Sequence, residues 1–237
     1  MKHYLTSPLS QAIFSRGFVI STVGTALILL LSSVQGILAG FRSAELLACG
    51  FHSDLIMGAL SSDAMALALP ILCALPYTAS FIDDVKSGFI KEYLPRTTVP
   101  RYIAGKAVGC AVSGGLALAL GILAAYGFAA LMFLPMEVYP KAGETVPNYF
   151  GSLAETVLMF FASGAFWSLT GMTFAALTNS KYMAYASPFV LFYLLIILYE
   201  RYFDKLFVLY PREWLSPSPR WVFGKIGVAV LLIEFSL

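Results

Sequence analysis

Residues 101–133 read RYIAGKAVGCAVSGGLALALGILAAYGFAALMF. Arg101 and Lys106 are the only charged residues in this run, and both lie at its front. As one helix rising ~1.5 Å per residue it would be roughly 50 Å long, against a hydrocarbon layer of about 30 Å. The run therefore crosses a membrane and projects beyond it on the side of Arg101 and Lys106. Backbone groups in lipid must be satisfied internally, so membrane spans are helices or closed barrels. The apolar residues here do not alternate with the period of two that a barrel needs. The whole chain agrees: 59% of its 237 residues are hydrophobic and 12% are charged, about half the charge of a soluble domain.

Working outward from this run, the spacing of apolar stretches gives six spans, approximately 17–40, 63–82, 101–133, 152–178, 182–203 and 221–237. The expected fold is all-α, a single transmembrane domain over residues 1–237. Ahead of the first span, residues 7–16 suit an interfacial helix. Ser7 is placed to cap it and Pro8 to open it. Leu9, Ala12 and Ile13 share one face, and Arg16 closes it. No cleavable signal peptide is expected, because the first apolar run is too long for a signal core and lacks a small-residue cleavage site.

Lys and Arg set the expected orientation. With the N-terminus in the cytoplasm, Lys2, Arg16, Lys86, Lys91, Arg96, Arg101, Lys106 and Lys181 face inward, and Arg42 and Lys141 face outward. The loop after the fifth span runs against this pattern, with Arg201, Lys205, Arg212 and Arg220 outside. Short helices dipping into the outer interface, anchored by Tyr210, Trp214 and Trp221, would reconcile it.

No catalytic pattern is present. GxxxxGK[ST], HExxH and GxSxG are all absent, and the two histidines, His3 and His52, are far apart. The chain therefore lacks a phosphate-cradling loop of its own. Cys49, Cys73 and Cys110 form neither a disulfide framework nor a zinc pattern. Nucleic acid is not indicated, since the densest basic stretch is interleaved with Asp83, Asp84 and Glu92. Glu155, Glu200, Arg201, Lys225 and Glu234 all lie close enough to span ends to reach the interface. Gly105, Gly109 and Gly115 place small residues along the third span, where helix backbones approach closely. Pro70 and Pro76 bend the second.

The stretch 81–106, FIDDVKSGFIKEYLPRTTVPRYIAGK, joins the second and third spans and holds eight charged residues in 26 positions. That density marks it as lying outside the hydrocarbon. Val85, Phe89 and Tyr93 fall at helical spacing, with Ile82, Ile90 and Leu94 beside them. An amphipathic helix is expected, with Asp83 and Asp84 in its first turn near the positive dipole end. Pro95 ends it, and Thr98 and Pro100 open the next helix. A face of Phe89, Tyr93, Lys86 and Lys91 suits a groove on a soluble partner or an anionic lipid surface.

In Asp84, Gly88, Leu94-Pro95, Arg101 and Lys106 this stretch resembles the ABC-2 type permeases, the membrane subunits of ATP-binding-cassette exporters. An aspartate stands where that family often has glutamate. The resemblance implies an N-terminal interfacial helix, six spans, a cytoplasmic coupling helix between spans two and three, and a re-entrant outer segment between spans five and six. It also implies a second permease subunit, forming a homodimer in the cell membrane, and two ATPase subunits that supply ATP and Mg. This chain itself would carry no cofactor and no metal. The implied ATPase contact comprises Asp83, Asp84, Val85, Lys86, Gly88, Phe89, Ile90, Lys91, Tyr93 and Arg96. The cargo implied is amphipathic or hydrophobic, a peptide or a drug. An ion-gradient carrier and a membrane immunity or scaffold protein are the rival readings.

Overall fold

The computed structural model describes residues 9–43, 46–93, 98–138, 148–203 and 207–215, together with Gly227, Val228 and Leu232. The described chain is helical apart from one isolated bridge between Leu47 and Glu137. Its helices are α1 (residues 9–13), α2 (Arg16–Ser32), α3 (Val34–Arg42), α4 (Phe51–Leu60), α5 (Asp63–Ala74), α6 (Ser80–Lys86), α7 (Phe89–Tyr93), α8 (Val99–Phe133), α9 (Tyr149–Thr178), α10 (Lys181–Arg201) and α11 (Pro211–Leu215). Among the described residues three helices, α8 with its short extension to Met136, α9 and α10, are long and apolar enough to cross a membrane. The number is five if each bent pair, α2 with α3 and α4 with α5, makes one span. The sixth expected span, 221–237, lies outside the described residues except for Gly227, Val228 and Leu232. Val228 and Leu232 are buried in the main core.

α5 is the axle of the bundle and packs against α2, α8, α9 and α10. Met65, Leu69, Leu72 and Cys73 put its apolar surface into a core shared with Leu118 and Ile122 of α8 and Phe160 and Trp167 of α9. α8 and α9 approach most closely where both carry small residues. A Cβ on Gly115 would sit 2.6 Å from the Phe161 carbonyl oxygen, and one on Gly164 would sit 2.7 Å from Leu118. The expected small-residue stripe on α8 is thus used at Gly115.

Two expected spans are broken. The first bends by 53° between α2 and α3 at Ser33, whose hydroxyl donates to the Leu29 carbonyl at 2.7 Å. The second was expected as one span over 63–82, bent by Pro70 and Pro76, and Pro70 sits inside a helix that it does not end. Its helix stops at Ala74, turns through residues 75–79, and is preceded by α4 at a 68° bend, in a segment expected to be loop. The physical cause of the lower break is Pro76. It has no N–H for the Leu72 carbonyl one turn back. Ser21 of α2 supplies the missing donor, its hydroxyl reaching the Leu72 oxygen at 2.8 Å. Ser15 likewise donates to the Pro76 carbonyl at 2.9 Å. Irregular backbone inside a membrane protein survives where protein groups satisfy it in this way.

Ser15 has a second role. Its oxygen accepts from the Phe18 N–H and caps α2, so Arg16 begins the first long helix and does not close the interfacial one as expected. Ser7 and Pro8, the expected start of that interfacial helix, lie outside the described residues. The outer anchor expected at Trp214 is also revised. Trp214 is 2% exposed, and its indole stacks on Trp167 at 5.8 Å and donates to the Val208 carbonyl at 2.8 Å. α11 thereby folds back onto α9 and α10. Trp221 lies outside the described residues.

Candidate functional site

The stretch that joins α5 to α8 is not one amphipathic helix. α6 ends at Lys86, and α7 starts at Phe89 after a turn through Ser87 and Gly88. Gly88 has φ +77°, a left-handed conformation that side chains other than glycine's rarely adopt. The helical register that put Val85, Phe89 and Tyr93 on one face is therefore interrupted at Gly88.

The two aspartates of α6 reach to two different helices. Asp83 is in the first turn, as expected, and pairs with Lys181, the first residue of α10. Asp84 lies beyond the first turn, and its carboxylate turns to α8. Lys106 Nζ stands 2.7 Å from Asp84 Oδ2, and the Tyr102 hydroxyl donates to the same oxygen at 2.5 Å. Tyr102 and Lys106 are four residues apart, so α8 presents them one above the other on one face.

Lys106 is a buried cation, its side chain 8% exposed. A charge so placed is stable only when paired and hydrogen-bonded. Besides Asp84 it donates to the Tyr77 hydroxyl at 2.9 Å and lies 4.8 Å from the centre of the Tyr77 ring. Tyr77, in the turn made by Pro76, donates a hydrogen bond from its hydroxyl to Gln11 Oε1 of α1 at 3.1 Å. The result is a connected polar cluster, Gln11–Tyr77–Lys106–Asp84–Tyr102, that joins α1, the α5–α6 turn, α6 and α8.

Around this cluster the loop is two-sided. Ile82 is 1% exposed and packs with Ala79, Ala175 and Ala184, while Phe81 is partly buried beside them. On the other side Val85, Lys86, Phe89 and Lys91 are exposed, and Ile90 is half-buried. Tyr93 ends α7, and Arg96 lies outside the described residues. Thr98 takes the N-cap position of α8 with extended backbone but makes no side-chain cap bond. The sequence alone did not flag Tyr77, Gln11 and Tyr102, and it marked Lys181 only as a basic residue facing the cytoplasm, not as the partner of Asp83. The spacing of Tyr102 and Lys106 is the one local signal that could have flagged part of the set.

A second buried polar cluster sits at the far end of α8, roughly 40 Å from Lys106 by helix rise. Glu137 follows the short helix that extends α8 and accepts from the backbone N–H groups of Gly50 and His52 at 3.0 and 2.8 Å. It thus caps the N-terminus of α4. The His52 ring adds Nδ1 at 2.6 Å, and its Nε2 lies 3.1 Å from the Tyr126 hydroxyl. A carboxylate only accepts, so Nδ1 carries a proton towards Glu137. Burial pushes the Glu137 carboxyl up, but the His52 and Gly50 hydrogen bonds outweigh it and leave the group below its ordinary value. This cluster fastens the α4 end of the bent pair to the end of α8. The neighbouring bridge, Leu47 N–H to the Met136 oxygen and Val138 N–H to the Leu47 oxygen, both 2.9 Å, does the same for the backbone.

No group of three or more His, Cys, Asp or Glu side chains is arranged to hold a metal among the described residues. A scan against family models and searches of curated proteins and of solved structures find no match to this chain.

Proposed function

We propose that this chain is the permease subunit of an ATP-driven exporter of the ATP-binding-cassette type, carrying an amphipathic or hydrophobic cargo, a peptide or drug, out of the cell. Two copies pair in the cell membrane with the N-terminus in the cytoplasm and six spans each. Two ATPase subunits, which bind ATP and Mg, dock beneath them on α6 and α7. The segment holding α11 is the re-entrant outer element.

The observation that carries this reading is the pairing of Asp84 with Lys106. It locks the loop's first helix to α8, the longest helix among those described and one packed against α2, α4, α5 and α9. The same loop leaves Val85, Lys86, Phe89 and Lys91 exposed for a partner. A push on that surface passes through a charged, hydrogen-bonded joint into the bundle. For ATP to drive it, nucleotide must favour one conformation of the complex over the other.

The test is co-purification with an ABC ATPase encoded beside this chain, for wild type, Phe89→Ala and Asp84→Ala. Phe89→Ala should weaken the association, and Asp84→Ala should leave ATP hydrolysis uncoupled from transport. Coupled transport unchanged in both variants overturns the reading.

A further inference from the structure

Charge divides this bundle by its ends. Gly121 of α8 abuts Thr25 of α2 and Gly40 of α3 abuts Phe133, so α2 and α8 run the same way. Gly115 abuts Phe161 and Gly114 abuts Ser168, so α9 runs back against α8. The starts of α2, α8 and α10 therefore share one end with α6 and α7. Among the described residues that end holds Arg16, Lys86, Lys91, Arg101, Lys106 and Lys181 against Asp83, Asp84 and Glu92. The other end reverses the ratio. It holds Arg42, Arg201 and Arg212 against Asp54, Asp63, Glu137, Glu155, Glu200 and Glu213.

At the basic end the two aspartates of α6 are already used, Asp84 by Lys106 and Asp83 by Lys181. Arg16, Lys86, Lys91 and Arg101 are exposed and in no ion pair among the described residues. Arg16 opens α2, two residues after Phe14, which is 87% exposed. Phe14 is not on a loose arm. Ala12, two residues before it, is buried against Tyr77, Cys110 and Met172, and Gln11 is bonded to Tyr77. Lys181 and Tyr182 repeat the pairing of a cation with a ring at the start of α10, where Tyr182 is 86% exposed. Phe14 and Tyr182 are the two most exposed large hydrophobic side chains among the described residues.

α2 and α10 flank α5 with little contact between them, so the two aromatic–basic pairs stand on separate sides of the bundle. One protein groove would cover one of them. A lipid leaflet surrounds both. It also supplies each half of the pair with its partner, an acyl boundary for the ring and a phosphate for the cation. The excess of cations selects an anionic leaflet. Each Lys or Arg near such a surface adds attraction, which fades within a Debye length of ~10 Å.

We infer that this end of the bundle binds anionic phospholipid headgroups, with Arg16 meeting lipid phosphate and Phe14 and Tyr182 anchored at the acyl boundary. The binding is independent of any ATPase on α6 and α7. The experiment uses the purified full chain in lipid vesicles, with Phe14→Trp as a fluorescent reporter. The parent chain, which keeps Trp167, Trp214 and Trp221, gives the background. Quenching by brominated phosphatidylglycerol and by brominated phosphatidylcholine, titrated separately, measures the relative affinity of the two lipids beside position 14. Phosphatidylglycerol should be preferred about fivefold, the effect of one cation near the surface. Arg16→Gln in the reporter should bring the ratio close to parity, and Arg42→Gln, at the opposite end, should leave it unchanged. High salt should shrink the preference in the reporter itself, a check that needs no further variant to fold. Thermal melting reports whether each variant folds. Equal quenching by both lipids overturns the inference. So does a preference that survives Arg16→Gln or, should that variant not fold, survives high salt. An equal loss in Arg42→Gln overturns it too, as does a reporter quenched by neither lipid, which would place Phe14 in water or against a protein.

Discussion

Lys106 Nζ lies 2.7 Å from Asp84 Oδ2, across 22 residues of chain and between two helices. It is the point at which the α6–α7 loop is tied to the longest described helix of the bundle. Removing one partner strands the other. Lys106→Met should destabilise the fold by about 3–5 kcal/mol, read as a fall in melting temperature in detergent. The exchange Asp84→Lys with Lys106→Asp should recover part of that loss, whereas either single change should not.

Ser21 replaces the bond that Pro76 removes. Ser21→Ala leaves the Leu72 carbonyl with only the Leu75 N–H at 3.3 Å. The expected cost is about 1 kcal/mol. Thermal melting of Ser21→Ala, alone and combined with Pro76→Ala, checks it. The serine should matter less once residue 76 can donate.

The close approach of α8 and α9 predicts intolerance of any side chain at Gly115. Gly115→Ala puts its Cβ against the Phe161 carbonyl, a backbone atom that cannot rotate away. A loss of about 1–3 kcal/mol is expected. The same change at Gly127, which has open space around its missing Cβ, should lack that penalty and gain slightly in helix propensity. Paired melting curves of the two variants distinguish contact from propensity.

Glu137 carries a pH signature. Its folded-state carboxyl lies below the ordinary value of 4.5. The stability it contributes is therefore full above that value and is lost as pH falls through the lowered one. Glu137→Gln should melt well below wild type at pH 7, and the gap should close as the pH is taken beneath 4.5. A gap that stayed constant with pH would show that the carboxylate's charge plays no part in fastening α4 to α8.

The amino-acid order by itself determined the membrane class and the three long helices near 101–133, 152–178 and 182–203, because hydropathy is a local property summed over neighbours. It also marked 81–106 as densely charged, and singled out Asp84 and Lys106. Local pattern misled where a distant partner decides the outcome. A proline break is tolerated at 75–79 because Ser21 and Ser15 approach from another helix, and Trp214 is buried because Trp167 receives it. Packing alone made a joint of Asp84 and Lys106, and a clamp of His52 and Glu137 across 85 residues. Pairing energy depends on which helix faces lie within 3 Å, and that is fixed only when the bundle closes.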